Sequence, residues 1–460
     1  MNAKYDIYAP ADPTLAPGDA RCPGPSVQDV LNADNQRVSP DFQAPRYTYL
    51  GNEDLAFDRY TSEAFHQLEV ERLWCRTWQW ACREEHIPKV GDYYVYDIDR
   101  YSVLVIRGED MRIRAFVNSC PHRGMQFFDS DTQGTGKQFL RCPFHGMSWR
   151  LDGALREIPC RWDFPHVKDE EFGLQAIPCD TWGGFVFINL DANAQPLLEY
   201  LSPLPEHFAA TPLEDRFVTM HTQKVLQGNW KMCMEGFLEA YHVLATHPNR
   251  LHMSAWANTQ YDLLSPHVSR FHQPLTSGNA IHPRQITERQ LYAELGHDPN
   301  ELKEGESARN AHCDKLRRSL GESLDVDLSQ VPNAIMLDSI EYHVFPNACF
   351  FPGITIPLIY RFRPLGHDKT LHDIMLLQPV PRSGHRPKPP APVKLGMDDR
   401  YTSVKDFGFL DRVLDQDSDN FVRQWAGMRT SLKKGQTLAN YQEARIRHFH
   451  ATLDDYLKTA

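Results

Sequence analysis

Two cysteines and two histidines in the first half of the chain form two short pairs that could share one metal centre. Cys120 and His122 lie two residues apart in VNSCPHRGMQFF, and Cys142 and His145 lie three residues apart in FLRCPFHGMSW. Nineteen residues separate the first pair from the second. Each pair presents two side chains at a turn, so two such turns can close around one metal centre that is held by sulfur and by imidazole nitrogen.

Three interpretations of these pairs compete. A structural zinc site could use equal numbers of Cys and His, but zinc fingers usually place both histidines after the cysteines. Chance placement of ordinary surface histidines is the weakest explanation. A [2Fe–2S] centre of the Rieske type fits best, because two cysteines hold one iron and two histidines hold the other. Gly124 and Gly146 follow the pairs closely and let the backbone fold tightly around a buried cluster.

A second set of candidate ligands lies in NWKMCMEGFLEAYHVLATHP. His242 and His247 are five residues apart, which turns an ideal helix by about 500°, so their rings would diverge by about 140°. Pro248 disfavours helical geometry at His247, so a helix that ends just before it can turn His247 back toward His242. Glu239 lies one turn before His242, close enough for a carboxylate–imidazole hydrogen bond. Taken alone, this polar face is better explained as a solvated surface.

A carboxylate near the end of the chain supplies a third candidate ligand. The apolar residues of FLDRVLDQDSDNFVRQWAGM form one helical stripe, and Asp417 falls inside it, about 20° from Leu410 on a wheel of about 100° per residue. Asp411, Asp415 and Asp419 fall off the stripe and are expected to be ordinary solvated acids. A lone core-facing carboxylate is costly unless it is paired or metal-bound, so Asp417 requires a cation. Two histidines and one carboxylate form the facial triad of non-haem Fe(II) oxygenases.

The elements that must position these residues predict an α+β chain. Residues 1–50 predict an irregular N-terminal arm, because the segment is rich in Pro, Asp and Gly. Residues 51–195 begin with a helical apolar pattern and continue as short β-type runs between turns, which predicts a small antiparallel β domain with a leading helix. Residues 196–460 mix strands with helices near 230–246, 288–320 and 409–428, and predict a second domain.

Composition and charge exclude several classes of protein. Hydrophobic residues make up 41% and charged residues 24%, a globular balance. The net charge of −11 argues against nucleic acid as a partner. We find no run of 18 apolar residues, and the first residues lack a basic start and an apolar core, so neither a membrane span nor a signal peptide is expected. The ten cysteines are too sparse for a disulfide framework, and a cytoplasmic location is the default expectation.

Together the two clusters resemble the large (α) subunit of the Rieske non-haem iron oxygenases, the aromatic-ring-hydroxylating family. The motifs occur in the family's order: Cys-x-His-Arg-Gly and Cys-x-x-His-Gly, then Asn-Trp-Lys with Glu-x-Tyr-His-x4-His-Pro, then an acidic ligand on a late helix. The resemblance covers the chain from about residue 62 to its end. It implies an N-terminal antiparallel β Rieske domain and a C-terminal catalytic domain with a helix-flanked antiparallel sheet of the steroidogenic-lipid-transfer (START-like) type.

The resemblance also implies cofactors, partners and residue roles. The expected cluster ligands are Cys120, His122, Cys142 and His145, and the expected ligands of a single Fe(II) are His242, His247 and Asp417. Glu239, where many members have Asp, would bridge the two centres by linking His242 to His145 of the next subunit in a homotrimer. Electrons from NAD(P)H would arrive through a separate ferredoxin or reductase, because the sequence has no evident flavin or nicotinamide signature. A small β subunit is compatible with the resemblance.

The predicted function is that of a terminal oxygenase component, which uses these electrons and O2 to hydroxylate an organic, most simply an apolar aromatic, substrate. The alternative within the family is a monooxygenase or demethylase that acts on a methoxyarene or a quaternary amine. In a different class, the chain would be a Rieske electron carrier with a non-catalytic second domain, or that domain would only bind a lipid or steroid. The three candidate iron ligands argue against both of these.

Overall fold

The computed structural model describes residues 6–249, 251–405, 407–408 and 410–458. The chain forms two compact units, a larger one of Met1–His66 with Leu201–Lys458 and a smaller one that covers Gln67–Tyr200. The division therefore differs from the predicted boundaries after residues 50 and 195. No helix in the described part of the chain is long and apolar enough to cross a membrane.

The N-terminal segment is more regular than an irregular arm. It contains α1 (Val27–Ala33), α2 (Pro40–Gln43), β1 (Leu55–Ala56), α3 (Asp58–Thr61) and α4 (Glu63–Arg72). Ser26 and Asp29 form a reciprocal capping box that begins α1. The segment joins the larger unit through polar contacts, since Arg46 N donates to the Asp262 carboxylate at 2.8 Å and Arg309 Nε donates to that of Asp34 at 2.7 Å. These contacts tie Asp34 and Arg46 of the N-terminal segment to the larger unit.

The smaller unit contains eleven short strands, and all of their pairings are antiparallel, as predicted. They are β2 (Gln79–Arg83), β3 (Tyr93–Ile98), β4 (Tyr101–Arg107), β5 (Ile113–Val117), β6 (Gln133–Gly134), β7 (Leu140–Arg141), β8 (Ser148–Trp149), β9 (Leu155–Glu157), β10 (Ala176–Ile177), β11 (Cys179–Trp182) and β12 (Phe185–Ile188). Three sheets result, with strand orders β10-β5-β4-β3-β6, β11-β12-β2 and β7-β8-β9. Buried side chains of the first and third sheets, among them Leu104, Phe116 and Trp149, form one core that also includes Cys120 and Cys142.

The larger unit continues with helices on a long sheet. Helix α5 (Leu197–Leu201) lies at the boundary, with all but its last residue in the smaller unit. The helices of the larger unit are α6 (Leu204–His207), α7 (Trp230–Glu235), α8 (Val243–Thr246), α9 (Glu288–Glu294), α10 (Ala308–Leu324), α11 (Asn333–Leu337), α12 (Leu410–Thr430) and α13 (Ala444–Lys458). Its strands are β13 (Arg216–Gln227), β14 (Gln260–Ser265), β15 (Val268–Gln273), β16 (Ser339–Val344), β17 (Ala348–Phe350), β18 (Leu358–Pro364), β19 (Lys369–Pro379), β20 (Val393–Leu395) and β21 (Gly435–Gln436).

Eight of these strands form a single sheet in the order β14-β15-β16-β17-β18-β19-β13-β20. Every pairing is antiparallel except that of β13 with β20. Helix α7 packs against β18 and β19, and α12 packs against α7 and β13. The predicted α+β class is therefore confirmed, with a helix-flanked and mainly antiparallel sheet.

Strands β14 and β15 lack a clear apolar strand pattern in the sequence, and a buried ion pair explains why. Asp262 on β14 and Arg270 on β15 are both fully buried, and their side chains meet at 2.7 Å. Charged residues inside a strand obscure the apolar pattern from which strands are predicted. Only the pairing of the two strands brings the opposite charges together.

Candidate metal centres

Three side chains from two distant segments converge in the larger unit. The ligand atoms of His242, His247 and Asp417 all lie within 4.8 Å of one another. Asp417 Oδ1 is 3.0 Å from His247 Nε2 and 3.7 Å from His242 Nε2. The two imidazole rings are 5.3 Å apart and nearly perpendicular, at 78°. One ion can therefore reach both Nε2 atoms and the carboxylate together.

An interruption of the helix brings the two histidines together, so the prediction of one continuous helix over 230–246 is wrong. Helix α7 ends at Glu235, and the bonds from Phe237 N to Met234 O and from Leu238 N to Glu235 O tighten and close its last turn. Helix α8 begins only after His242 and ends before His247, where φ is −121° and ψ is 63°. The non-helical backbone that Pro248 predicts at His247 is therefore present.

Each histidine is oriented by a hydrogen bond on the far side of its ring. His242 Nδ1 lies 2.8 Å from Glu239 Oε1, and Glu239 Oε2 also accepts a bond from His242 N at 2.9 Å. His247 Nδ1 lies 2.9 Å from Gln416 Oε1. These partners occupy Nδ1 and leave Nε2 for a ligand bond, which is the usual outer-sphere arrangement around a metal-binding imidazole. The predicted Glu239–His242 contact is thus present, whereas Gln416 was not predicted.

Helix α12 carries Asp417 on its buried face, as its wheel predicts. The buried residues of this face are Leu414, Asp417, Phe421, Trp425 and Met428. Close packing against α7 requires Gly236, because a Cβ at that position would lie 2.8 Å from Phe421 Cε1.

The expectation that Asp415 is solvated is wrong. Asp415 is 3% exposed, and its carboxylate accepts bonds from Tyr401 N at 2.8 Å and from Thr402 Oγ1 at 3.0 Å. Arg400 also contacts it, with Nε 3.3 Å from Oδ2. A loop from outside the helix thus satisfies this carboxylate. Asp419, in contrast, is exposed as predicted.

The electrostatics around the three side chains favour a cation. Burial lowers the pKa of His242, but the carboxylates of Glu239 and Asp417 outweigh burial and raise this pKa to about 9. Positive charge is therefore stabilised at this position even though the site is partly buried.

Two cavities of different character meet at this cluster. The larger has a volume of about 470 Å³ and is lined mainly by apolar and aromatic side chains, including Phe271, Phe351 and Leu358. The smaller, of about 310 Å³, adds the carboxylates of Glu235 and Glu443 to the wall. Burial raises the pKa of Glu443 to about 7. The larger cavity lies within the usual size range of small-molecule sites.

The two Cys/His pairs of the smaller unit lie on loops with the same hydrogen-bond pattern. Cys120 N donates to Met125 O and Gly124 N donates to Cys120 O, each within 2.9 Å. The second loop repeats both bonds, from Cys142 N to Met147 O at 2.8 Å and from Gly146 N to Cys142 O at 3.1 Å. Both glycines have positive φ, +75° and +78°. An L side chain is strained in this conformation, so both positions favour glycine. The tight backbone turns expected at these glycines are therefore present.

The two loops bury the cysteine sulfurs and leave the histidine rings nearer the surface. Cys120 and Cys142 are each 2% exposed, and their thiols contact one another. The His122 and His145 rings are 4.8 Å apart, and His122 is half-buried whereas His145 is exposed. All ten cysteines lie in described residues, and none forms a disulfide.

The first loop depends on a residue that the sequence did not single out. Asn118 is 1% exposed, its Nδ2 donates to Phe128 O at 2.8 Å, and its Oδ1 accepts from Phe127 N at 3.1 Å. These bonds fix both ends of the loop that carries Cys120 and His122. An Asn directly after a strand was a weak signal for this role.

Fold and sites together define a class of protein in which an iron–sulfur domain precedes a mononuclear metal domain. Residues 77–168 match the model of the Rieske [2Fe-2S] domain, and residues 207–459, more than half of the chain, match that of the ring hydroxylating alpha subunit (catalytic domain). The chain therefore belongs to the ring hydroxylating alpha subunit family, as the sequence resemblance implied.

The relatives of this chain are oxygenase components with different substrates in their names. The carnitine monooxygenase oxygenase subunit of Escherichia coli K12 is 28% identical over 217 residues, 46% of this chain and 57% of that protein. The salicylate 5-hydroxylase large oxygenase component of Ralstonia sp. is 30% identical over 239 residues, 49% of this chain and 54% of that protein. The matches thus span little more than half the length of either relative.

A solved structure supports the fold over a longer stretch. The quaternary ammonium Rieske monooxygenase CntA in complex with L-carnitine superposes with a TM-score of 0.62 at 16% identity, and the match covers 88% of this chain and 96% of that one. At this identity the likeness establishes the fold alone.

Proposed function

We propose that this protein is a terminal oxygenase that uses O2 and externally supplied electrons to hydroxylate an apolar, ring-containing organic compound. The observation that carries the proposal is the contact between a two-histidine, one-carboxylate cluster and an apolar cavity of about 470 Å³. A binding-only carrier would not need His242, His247 and Asp417 at the wall of its cavity, and neither would a simple electron carrier.

The donor set fits ferrous iron. Two imidazole nitrogens and one carboxylate are the protein ligands typical of non-haem Fe(II) oxygenases, and they leave coordination positions open. In this proposal His242, His247 and Asp417 hold the iron, which supplies the activation of dioxygen when it is bound. Asp417 is 5% exposed and has no lysine or arginine partner among the described residues, so a metal ion is the natural counter-charge.

The surrounding residues orient ligands and exclude water. Glu239 and Gln416 accept the Nδ1 protons of His242 and His247, so that each Nε2 keeps its lone pair for the metal. The aromatic and aliphatic walls of the larger cavity bind a ring by excluding water from both surfaces. A substrate held there lies beside the cluster of three ligands, which is the positioning that oxidation of one particular carbon requires.

In the smaller unit, we propose that Cys120, His122, Cys142 and His145 hold the Rieske cluster. Two buried thiols, one half-buried imidazole and one exposed imidazole match a centre with one iron held by cysteines inside and the other held by histidines near the surface. The proposed electron donor is a separate ferredoxin or reductase, and we expect a homotrimer in the cytoplasm in which Glu239 lies between His242 and a neighbour's His145. Equilibrium sedimentation tests the trimer, and a monomer would contradict it.

Oxidative demethylation of a quaternary amine is the second candidate. It is supported by the names of relatives that act on carnitine and glycine betaine. Aromatic rings in the cavity wall, among them Phe271, Phe351 and Tyr360, could also face a cationic methylammonium group.

The test is an oxygen-uptake screen of the purified protein, reconstituted with iron and sulfide and supplied with a ferredoxin–reductase pair. Aromatic acids, alkylarenes, methoxyarenes and quaternary amines are compared, and labelled dioxygen shows how many oxygen atoms enter the product. Asp417→Ala should abolish both turnover and binding of the mononuclear iron. Asp419→Ala is the matched control, because this exposed residue of the same helix only pairs with Arg400. Full iron occupancy and turnover in the Asp417 variant would refute the proposal.

A further inference from the structure

Two histidines of the segment between β15 and β16 form a pair at the wall of the larger cavity. His297 Nε2 and His312 Nδ1 are 2.8 Å apart, and their rings are 5.1 Å apart. His297 packs on the Tyr292 ring at 4.5 Å, and His312 lies on α10, one turn before Leu316. His312 and Leu316 both line the cavity, so α10 contributes one polar and one apolar side chain to its wall.

Three other polar side chains of this wall, Gln273, Tyr360 and Glu341, are committed to protein partners. Gln273 Nε2 donates to Ser254 Oγ at 2.7 Å. The Tyr360 hydroxyl donates to the Glu341 carboxylate, which is neutralised by Arg445 at 2.9 Å. These groups satisfy one another and offer little to a bound molecule.

His312 differs from them because one of its ring nitrogens remains available. Its Nδ1 is used by His297, whereas its Nε2 has no hydrogen-bond partner within the part of the chain that the structure describes. Burial, and secondarily the neighbouring His297, lowers the pKa of His312 to about 4. Burial also lowers the pKa of His297. Both rings are therefore neutral near pH 7, and the direction of the bond between them decides whether Nε2 donates or accepts.

We propose that the His297–His312 pair is the hydrogen-bonding anchor of the substrate cavity, and that it selects ring compounds with one uncharged oxygen group, such as a hydroxyl, methoxy or carbonyl group. Depending on its tautomer, a neutral imidazole donates a hydrogen bond to such a group or accepts one from it. No lysine or arginine among the described residues lines the cavity to hold a carboxylate. The neutral pair likewise gives no attraction to a cation. This inference rests on the proposed function, and it makes His312 a positioning residue.

The test is calorimetric titration of the reconstituted protein, without oxygen, with four ligands of one ring each: toluene, 4-methylphenol, 4-methylbenzoate and phenyltrimethylammonium. One net hydrogen bond in a buried site predicts that 4-methylphenol binds about three- to tenfold more tightly than toluene. His312→Leu should abolish this preference and leave toluene binding unchanged or tighter. His312→Gln, which retains a donor and an acceptor, should keep part of it.

The matched control is His282→Leu. His282 belongs to the same segment and packs against His252 at 5.7 Å, but it is absent from the cavity wall. This variant should keep the wild-type preference. Thermal unfolding of each variant verifies that the segment remains folded, and His312→Gln keeps the test decisive if the leucine variant does not fold.

Two outcomes would overturn the anchor: an unchanged preference in His312→Leu, or tightest wild-type binding by the carboxylate or the ammonium compound. Failure of the proposed function looks different. In that case His312 would control the binding preference while none of the compounds supports oxygen uptake or oxygen incorporation. Conversely, oxygenation with a preference that His312→Leu does not alter would refute only the anchor.

Discussion

Replacing Arg309 by methionine tests how the helix that carries His312 is held. Arg309 lies on α10 and is almost fully buried between two carboxylates, with Nε 2.7 Å from Asp34 and Nη1 2.6 Å from Asp338. Asp338 in turn accepts a bond from His272 on β15 at 2.9 Å. One guanidinium therefore joins α10 to the N-terminal segment and to the end of α11.

The expected cost follows from burial. Removing one partner of a buried ion pair leaves uncompensated charge and typically costs about 3–5 kcal/mol. Here Arg309→Met leaves Asp34 and Asp338, 5% and 1% exposed, facing each other without a cation. A factor of ten in an equilibrium constant corresponds to about 1.4 kcal/mol, so the equilibrium constant for local opening of α10 should rise by about two to four powers of ten.

Hydrogen exchange of the α10 amides is the appropriate measurement. Chains with more than one unit do not unfold in a single transition, so a global unfolding free energy would not isolate this helix. Local exchange does, because it reports the free energy of opening of each segment. Protection of α10 should fall by the stated factor or disappear, while β13 and β19 in the sheet keep theirs.

Arg284→Met is the matched control within the same segment. The Arg284 side chain is 59% exposed and pairs with Glu294, so its loss should change protection by less than a factor of about five. If Arg309→Met changed α10 protection no more than this control does, the buried network would not hold the helix. A further variant, Asp34→Asn in the Arg309→Met background, should restore part of the protection by removing one of the stranded charges.

Three other predictions concern the metal loops, the ligand support and pH. Gly146→Ala should lower the iron and sulfide content of the smaller unit, because φ at this position is +78° and a Cβ would lie 3.1 Å from Arg141 Nη2. Gly136→Ala, where φ is +68° but the surrounding space is open, should keep the full iron and sulfide content. Equal iron and sulfide contents in the two variants would contradict this steric explanation. Gln416→Leu should weaken ferrous-ion binding about 10- to 100-fold in a chelator competition, since His247 loses its Nδ1 partner, whereas Gln424→Leu on the same helix should not. The folded-state pKa of Glu443 is raised from 4.5 to about 7, so wild-type stability should decline between about pH 4.5 and 7. Glu443→Gln should escape this decline and gain up to about 3 kcal/mol, seen as a higher thermal midpoint above pH 7; parallel pH profiles of the two proteins would refute the burial of a charged carboxyl here.

Much of the candidate site was predictable because the relevant signals are local. The pairs Cys120/His122 and Cys142/His145 are recognisable by spacing alone, and the positive φ of the following glycines is a property of a single tight turn. Asp417 was identified by helical period, since a core-facing carboxylate on an apolar stripe is an anomaly that one helix reveals.

The errors arose where a distant segment changes the environment of a residue. Asp415 follows the same wheel as its solvated neighbours, but the loop at 400–402 covers it and satisfies its carboxylate. The need for glycine at position 236 was likewise not visible in the sequence, because it arises from the close approach of Phe421 on α12. Helical period within one segment cannot report such contacts.

The sequence by itself therefore determined which atoms are available as candidate metal ligands and the order of the two domains, because covalent spacing and backbone hydrogen bonds act over a few residues. Only the tertiary structure decided what surrounds those candidate ligands. It supplied Gln416 behind His247, formed a mainly apolar cavity beside Asp417, and placed His312 in its wall. These features depend on segments far apart in the chain, and the free energy that joins them comes from burial and charge pairing that exist only in the folded state.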